Sequence, residues 1–179
     1  MGSAAELNRF LVEVEKRAFA MAMVSVKNRD DALDIVQDVM LTLARKYAGK
    51  DANEWPPLFF RILKNRITDH HRSGMIKRRI LGWFNDDPED EIAATEGARY
   101  EHPDVQQEQS VIRQRLNDAL GELPQRQQQA FMLRIWEGLS VKETAQAMSC
   151  SEGSVKTHLS RATSTLRTLL PEYDGDGDG

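Results

Sequence analysis

Residues 138–170 read GLSVKETAQAMSCSEGSVKTHLSRATSTLRTLL. Gly138 precedes Ser140-Val141-Lys142-Glu143. In that S-x-x-E spacing a serine hydroxyl and a glutamate carboxylate each satisfy a backbone N–H at a helix start. A helix from Ser140 to Met148 is therefore expected, followed by a tight turn at Ser149-Cys150-Ser151. From Glu152 onward Val155, Leu159, Ala162, Leu166 and Leu169 alternate steps of four and three, the apolar stripe of a second helix reaching Leu170. The opposite face carries Ser154, Lys156, Thr157, Ser160, Arg161 and Ser164, and no acid. Two helices joined by such a turn make a helix-turn-helix, whose second helix lies in the major groove of DNA. Hydroxyls and cations on that helix suit phosphate oxygens and base edges.

A net charge of −4 sits oddly with a nucleic-acid partner until its distribution is read. Between Arg61 and Leu81 seven cations face Asp69 alone, whereas between Asn85 and Ser110 nine acids face Arg99 alone. Four more acids follow Leu170. Acidic segments thus hide a basic one, the charge asymmetry of a chain that meets nucleic acid. A lone Cys150 excludes an internal disulfide framework and suits a reducing compartment, so a cytoplasmic location is expected. No apolar run reaches membrane-spanning length, and Met1 to Arg9 lacks the apolar stretch of a signal peptide, so no direct membrane association is expected.

The remainder of the chain reads as helices. Leu7, Phe10, Leu11, Val14 and Ala18 form one stripe, with the helix expected to reach about Val26. Asn28 to Asp31 supply the cap and acids of a second helix, with Ala32, Leu33, Val36, Val39, Met40 and Leu43 on its core side. A loop over residues 49–54 leads to Pro56-Pro57, which fit the first turn of a third helix, where a missing N–H does no harm. Ser73-Gly74 is expected to interrupt that helix before a short basic segment, Met75 to Phe84. Asn85 to Gln109, with Pro88 and Pro103 among its acids, reads as a linker. Helices are expected again over 111–121 and 124–137. With no strand pattern, the fold class is all-α. Two small helical domains, 1–84 and 111–171, are joined by the acidic linker 85–110 and followed by an acidic tail, 172–179.

Three segments carry a family resemblance. LPQRQQQAFMLRIWEGLSVKETAQAMSCSEGSVKTHLSRATSTL, from Leu123, resembles region 4 of bacterial RNA polymerase sigma factors, in particular the extracytoplasmic-function (ECF) group of the sigma-70 superfamily. RDDALDIVQDVMLTLARKY resembles the docking part of region 2, and FFRILKNRITDHHRSGMIKRR its promoter-melting helix. The resemblance implies a non-enzymatic subunit that carries core RNA polymerase to promoter DNA, with an anti-sigma factor as the usual further partner. Asp34, Gln37 and Asp38 match the D-x-x-Q-D pattern that binds a coiled coil of the largest polymerase subunit. Asn65 matches the position that holds an unstacked base of the −10 element, beside a loop (Tyr47 to Glu54) that would shape the pocket. Arg61, Lys64, Arg66, Arg72, Lys77, Arg78 and Arg79 would contact phosphates nearby. Ser154, Lys156, Thr157, His158, Ser160 and Arg161 fall where the family reads the −35 element. This chain departs from the family where His158 and Thr163 replace arginines, and where Leu58 replaces an early tryptophan, with Trp55 displaced upstream.

Two rivals compete with this reading. A stand-alone helix-turn-helix regulator would explain the second domain but leaves Asp34, Gln37, Asp38 and the basic segment without a role. A metal-dependent phosphoesterase would use Asp69-His70-His71, but no second Asp/His cluster accompanies them and cations surround them. The DGDGDG tail copies half of a calcium loop without its closing glutamate. No metal and no cofactor is expected. Trp136 reads as core, while Trp55 and Trp83 could stack on bases.

Overall fold

The computed structural model describes residues 1–84 and 105–171, with side chains described at 1–75 and 110–171. The elements are α1 (Ala4–Val26), α2 (Arg29–Lys46), a 3-10 turn (Ala52–Glu54), α3 (Trp55–Phe84), α4 (Val105–Glu122), α5 (Gln125–Phe131), a π-helical turn (Met132–Trp136), α6 (Val141–Met148) and α7 (Glu152–Leu169). Among the described residues the fold is all-α, as the periodicity predicts.

The local signals explain most boundaries. Ser3 caps α1: its hydroxyl accepts from the Glu6 N–H (3.2 Å), and the Glu6 carboxylate accepts from the Ser3 N–H (2.7 Å). α1 closes at Lys27, which takes the left-handed conformation (φ 55°) and donates its N–H to the Met23 carbonyl. Asn28 caps α2 by accepting from the Asp31 N–H at 3.0 Å. Gly138, at φ 66°, makes the reversal before α6, where an L side chain would be strained.

Two expectations are corrected. α3 runs unbroken through Ser73-Gly74 to Phe84. An interior glycine costs about 1 kcal/mol relative to alanine, too little by itself to end a helix, and no proline lies between Gly74 and Phe84. α4 begins at Val105, inside the segment expected to be linker. Val105 follows Asp104, and Gln106 to Gln109 are good helix formers, so the second helical half starts six residues before Val111.

α1, α2 and α3 pack on one another over Val14, Ala18, Val36, Val39, Leu43, Phe59 and Leu63, all at most 3% exposed. Phe10 meets Phe59 edge-on (centroids 5.8 Å apart), and Phe59 meets Phe60 in the same way. Burying Phe59 and Phe60 contributes about 1.5–3 kcal/mol each. In the second half α7 packs on α5 and α6 through the fully buried Val155 and Ala162. The halves also touch each other: α3 lies along α6, and α1 against α4.

Candidate nucleic-acid and polymerase interfaces

The helix-turn-helix is built by caps. The Ser140 hydroxyl accepts from the Glu143 N–H (3.1 Å), and the Glu143 carboxylate accepts from the Ser140 N–H (2.8 Å), which fixes the start of α6. α6 ends at Ser149 in the left-handed conformation (φ 54°). Arg126 of α5 donates Nη1 to the Met148 carbonyl at 2.6 Å, supplying a cation to the negative end of the helix. Ser151 then caps α7, accepting from the Ser154 N–H (3.1 Å) and donating to the Ser154 hydroxyl (2.9 Å). Ser154 is thus engaged at the cap as well as placed on the outer face. Val155 and Ala162 are pinned in the core, which turns Lys156, Thr157, Ser160 and Arg161 out to solvent. His158 is half-buried, and burial, then Arg126 and Arg161, hold its imidazole below the ordinary histidine value. The expected cations of this face are therefore Lys156 and Arg161. Thr163 turns its hydroxyl back to the Leu159 carbonyl (2.9 Å).

α2 buries Ala32, Ile35, Val36, Val39 and Leu43. Asp34, Gln37 and Asp38 stand exposed together on its outer side. Leu33, expected in the core stripe, is instead 38% exposed, and Leu41 is 52% exposed. Leu33, Gln37 and Leu41 are spaced four apart, one row of a helix, beside the row of Asp34 and Asp38. The acid-amide patch is thus framed by two accessible leucines. The i, i+4, i+8 spacing through Gln37 was the available signal for that row.

At the start of α3, Trp55 is 1% exposed and its Nε1 donates to the Tyr47 carbonyl at 3.0 Å. It cannot stack on a base; it braces the loop that leads into α3. That loop is held further by Lys50 N–H to Tyr47 O (3.0 Å) and Asp51 N–H to the Glu54 carboxylate (3.1 Å). Gly2 comes so close to the tryptophan ring that no Cβ would fit there, and it donates its N–H to the Lys50 carbonyl (3.0 Å).

The expected −10 residues divide into sets along α3. Asn65 and Arg72 are exposed. Arg61 donates Nε and Nη2 to the Gln146 carbonyl of α6 at 3.0 and 2.9 Å. Lys64 is half-buried, and burial, then Arg126 and Arg61, hold its ammonium below the ordinary lysine value. Arg66 pairs with Asp38 of α2 and lies 4.0 Å from Asp69. The side chains of Lys77, Arg78, Arg79 and Trp83 lie outside the described residues, as do the segment from Asn85 to Asp104 and the tail after Pro171. His70 lies 3.7 Å from Asp31, its ring 5.8 Å from that of His71. No group of three His, Cys, Asp or Glu able to hold a metal occurs among the described residues. No described helix is long and apolar enough to cross a membrane.

Residues 113–166 match the family model for sigma-70, region 4, the part of the fold that holds the helix-turn-helix. The match to known proteins extends through the first half as well. The RNA polymerase sigma-E factor of Streptomyces coelicolor is 30% identical over 177 residues, 98% of this chain and 92% of that protein. The chain belongs to the extracytoplasmic-function sigma factors. ECF RNA polymerase sigma factor BldN, also of S. coelicolor, is 28% identical over 176 residues, covering 96% of this chain. This sigma factor spans 62% of the length of BldN. Among solved structures it resembles the sigma factor RpoE in complex with the anti-sigma factor NepR from Bartonella quintana, at 28% identity and TM-score 0.62 over 92% of this chain and 96% of that one. Likeness across both halves favours a sigma factor over a stand-alone helix-turn-helix regulator.

Proposed function

We propose that this sigma factor docks on core RNA polymerase through Asp34, Gln37 and Asp38, with Leu33 and Leu41 completing the contact. Asn65 captures an unstacked base of the −10 element, and Arg61, Lys64, Arg66, Arg72, Lys77, Arg78 and Arg79 supply phosphate contacts along α3. Extruding a base costs a few kcal/mol, which such contacts offset. Ser154, Lys156, Thr157, His158, Ser160 and Arg161 of α7 read the −35 duplex, Lys156 and Arg161 as its cations. The domains are residues 1–84 and 105–171, joined by an acidic linker. The chain acts in the cytoplasm as a dissociable subunit that makes and breaks no covalent bond. Its fold resembles that of a sigma factor solved with an anti-sigma factor, which supports a partner of that kind here.

The observation that carries this reading is the separation of the surfaces. The acid-amide patch of α2, Asn65 of α3 and the cationic face of α7 are all exposed, on different helices of one chain. The test is transcription in vitro with purified core polymerase and a pool of genomic fragments. Transcripts that depend on the chain are expected. Asn65→Ala is expected to bind core polymerase normally while permanganate reactivity of unpaired promoter thymines falls. If no fragment is transcribed in a chain-dependent way, the proposal fails.

A further inference from the structure

The turn between α6 and α7 closes on two backbone hydrogen bonds. The Ser149 N–H donates to the Gln146 carbonyl (3.3 Å), and the Cys150 N–H donates to the Ala145 carbonyl (3.1 Å). With Ser149 left-handed at φ 54°, this is the paired closure that most often takes glycine at the left-handed position. Here that position holds serine, whose Cβ makes the conformation unfavourable. The turn that aims α7 is therefore held against a local preference to relax. Of the last four carbonyls of α6, those of Ala147 and Met148 lie outside the closure.

Arg126 supplies a partner for one of them. Its Nη1 lies 2.6 Å from the Met148 carbonyl, one residue before Ser149. The side chain comes from the first turn of α5, so it ties the turn to a helix on which α7 packs. Arg61 also reaches the end of α6, at the Gln146 carbonyl, but it comes from α3 in the other half. Arg126 belongs to the same half as the turn, so its contact does not depend on how α3 is engaged. Among the described residues no carboxylate pairs with it. Its charge faces the negative end of α6. It also faces the flank of α7, where it adds to burial in holding the His158 imidazole below the ordinary histidine value.

We propose that Arg126 is a positioning residue for −35 reading: by clamping the Met148 carbonyl it fixes the turn at Ser149, and so the angle at which α7 enters the major groove. This rests on the assignment of α7 to the −35 duplex made above. The buried Val155 and Ala162 decide which face of α7 looks outward. Its tilt is set where the helix leaves the turn. Arg161 lies nine residues beyond Glu152, about 13 Å along the axis at 1.5 Å per residue. A tilt of about 10° at the turn would move it by about 2 Å. Hydrogen bonds to base edges hold only between about 2.7 and 3.2 Å, so that shift would break them. Arg126 thus acts on sequence preference without touching a base.

The test uses the full chain in holoenzyme with purified core polymerase. Arg126→Met removes the donor at similar length, and Arg126→Lys keeps a cation able to reach the carbonyl. Should circular dichroism show Arg126→Met unfolded, the shorter, polar Arg126→Gln takes its place. Transcription from competing −35 variants reads sequence preference, and pull-down reads core binding. Arg126→Met is expected to lose about tenfold of the preference for the best −35 sequence, on the order of one base contact, with core binding unchanged. Arg126→Lys should keep most of that preference. Ser149→Gly, which relieves the left-handed turn, should restore it in the Arg126→Met background. Unchanged preference in folded Arg126→Met overturns the proposal. An even loss over all −35 variants, with a shallower salt dependence and no rescue by Ser149→Gly, would reveal a phosphate contact and overturns it too. Arg161→Ala and Lys156→Ala, run in parallel, separate the failures. If they act and Arg126→Met does not, only the positioning role is wrong; silence in all three overturns the assignment of α7 as well.

Discussion

Arg66 of α3 forms an ion pair with Asp38 of α2. The helix proposed to face the −10 strand is thereby tied to the helix proposed to face polymerase, and one carboxylate serves both. A polymerase cation that draws on Asp38 would loosen Arg66 toward DNA. Both side chains are about half exposed, so in the free chain the pair contributes about 0.2–1 kcal/mol.

Reversing Asp34 and Asp38 to lysine is expected to cost a few kcal/mol at the docking contact, lowering core-polymerase affinity by about tenfold or more. Arg66→Ala should leave that affinity nearly intact. A double-mutant cycle on urea unfolding should give Asp38 and Arg66 a coupling below about 1 kcal/mol. Retained polymerase pull-down in the doubly reversed, folded protein would remove this patch from the docking surface.

Gly2→Ala tests the brace under the −10 loop. A Cβ there would lie 2.3 Å from the Cη2 and Cζ2 atoms of Trp55, a ring that is fully buried and has nowhere to move. Overpacking of this kind costs about 1–3 kcal/mol, read as a lower urea midpoint. Because Trp55 Nε1 holds the Tyr47 carbonyl, Trp55→Phe should lose about 0.5–1.5 kcal/mol and weaken promoter opening more than polymerase binding. Wild-type permanganate reactivity in Trp55→Phe would show that the brace does not shape the pocket.

Glu137, held by Arg17 of α1, gives the packing of the two halves a pH dependence. Burial pushes its carboxyl above the ordinary 4.5, opposed by the nearby Arg17 guanidinium. A carboxyl whose pKa is higher in the folded, packed chain than in the unfolded one binds its proton more tightly there. The packed fold therefore gains stability from Glu137 as pH falls through the raised value toward 4.5, and that gain is absent at neutral pH. Urea unfolding at stepwise lower pH should show this contribution in wild type, while Glu137→Gln responds less. Equal responses from the two proteins would place the titrating group elsewhere.

Arg161 and Lys156 should separate in function although they share one face of α7. A base-reading arginine contributes about 1–3 kcal/mol of discrimination, whereas a phosphate-bound lysine adds salt-dependent affinity without preference. Arg161→Ala is expected to relax selection among −35 variants in holoenzyme, and Lys156→Ala to weaken all of them alike. Transcription of a −35 library at two salt concentrations reads both effects; wild-type activity and preference in both mutants would mean that the face is only solvated.

The sequence by itself determined the elements whose causes lie within a few residues. Ser140 and Glu143 mark the start of α6 because a cap is a contact between residues three apart. Asn28 does the same for α2, and Pro56-Pro57 for the first turn of α3. The outer face of α7 was legible for a related reason: once Val155 and Ala162 are buried, helical geometry fixes where Lys156 and Arg161 point. The tertiary structure decided what depends on partners far along the chain. Leu33 carries the same apolar side chain whether it faces the core or solvent, and only the packing of α1 and α3 on α2 leaves it outside. Arg61 and Arg66 read alike as free cations until the fold brings Gln146 and Asp38 to them. Glu137 reads as an exposed acid before a glycine, yet it is buried against Arg17, 120 residues away. A residue type states what a side chain can bond; which bond it makes is set by what the folded chain places within reach.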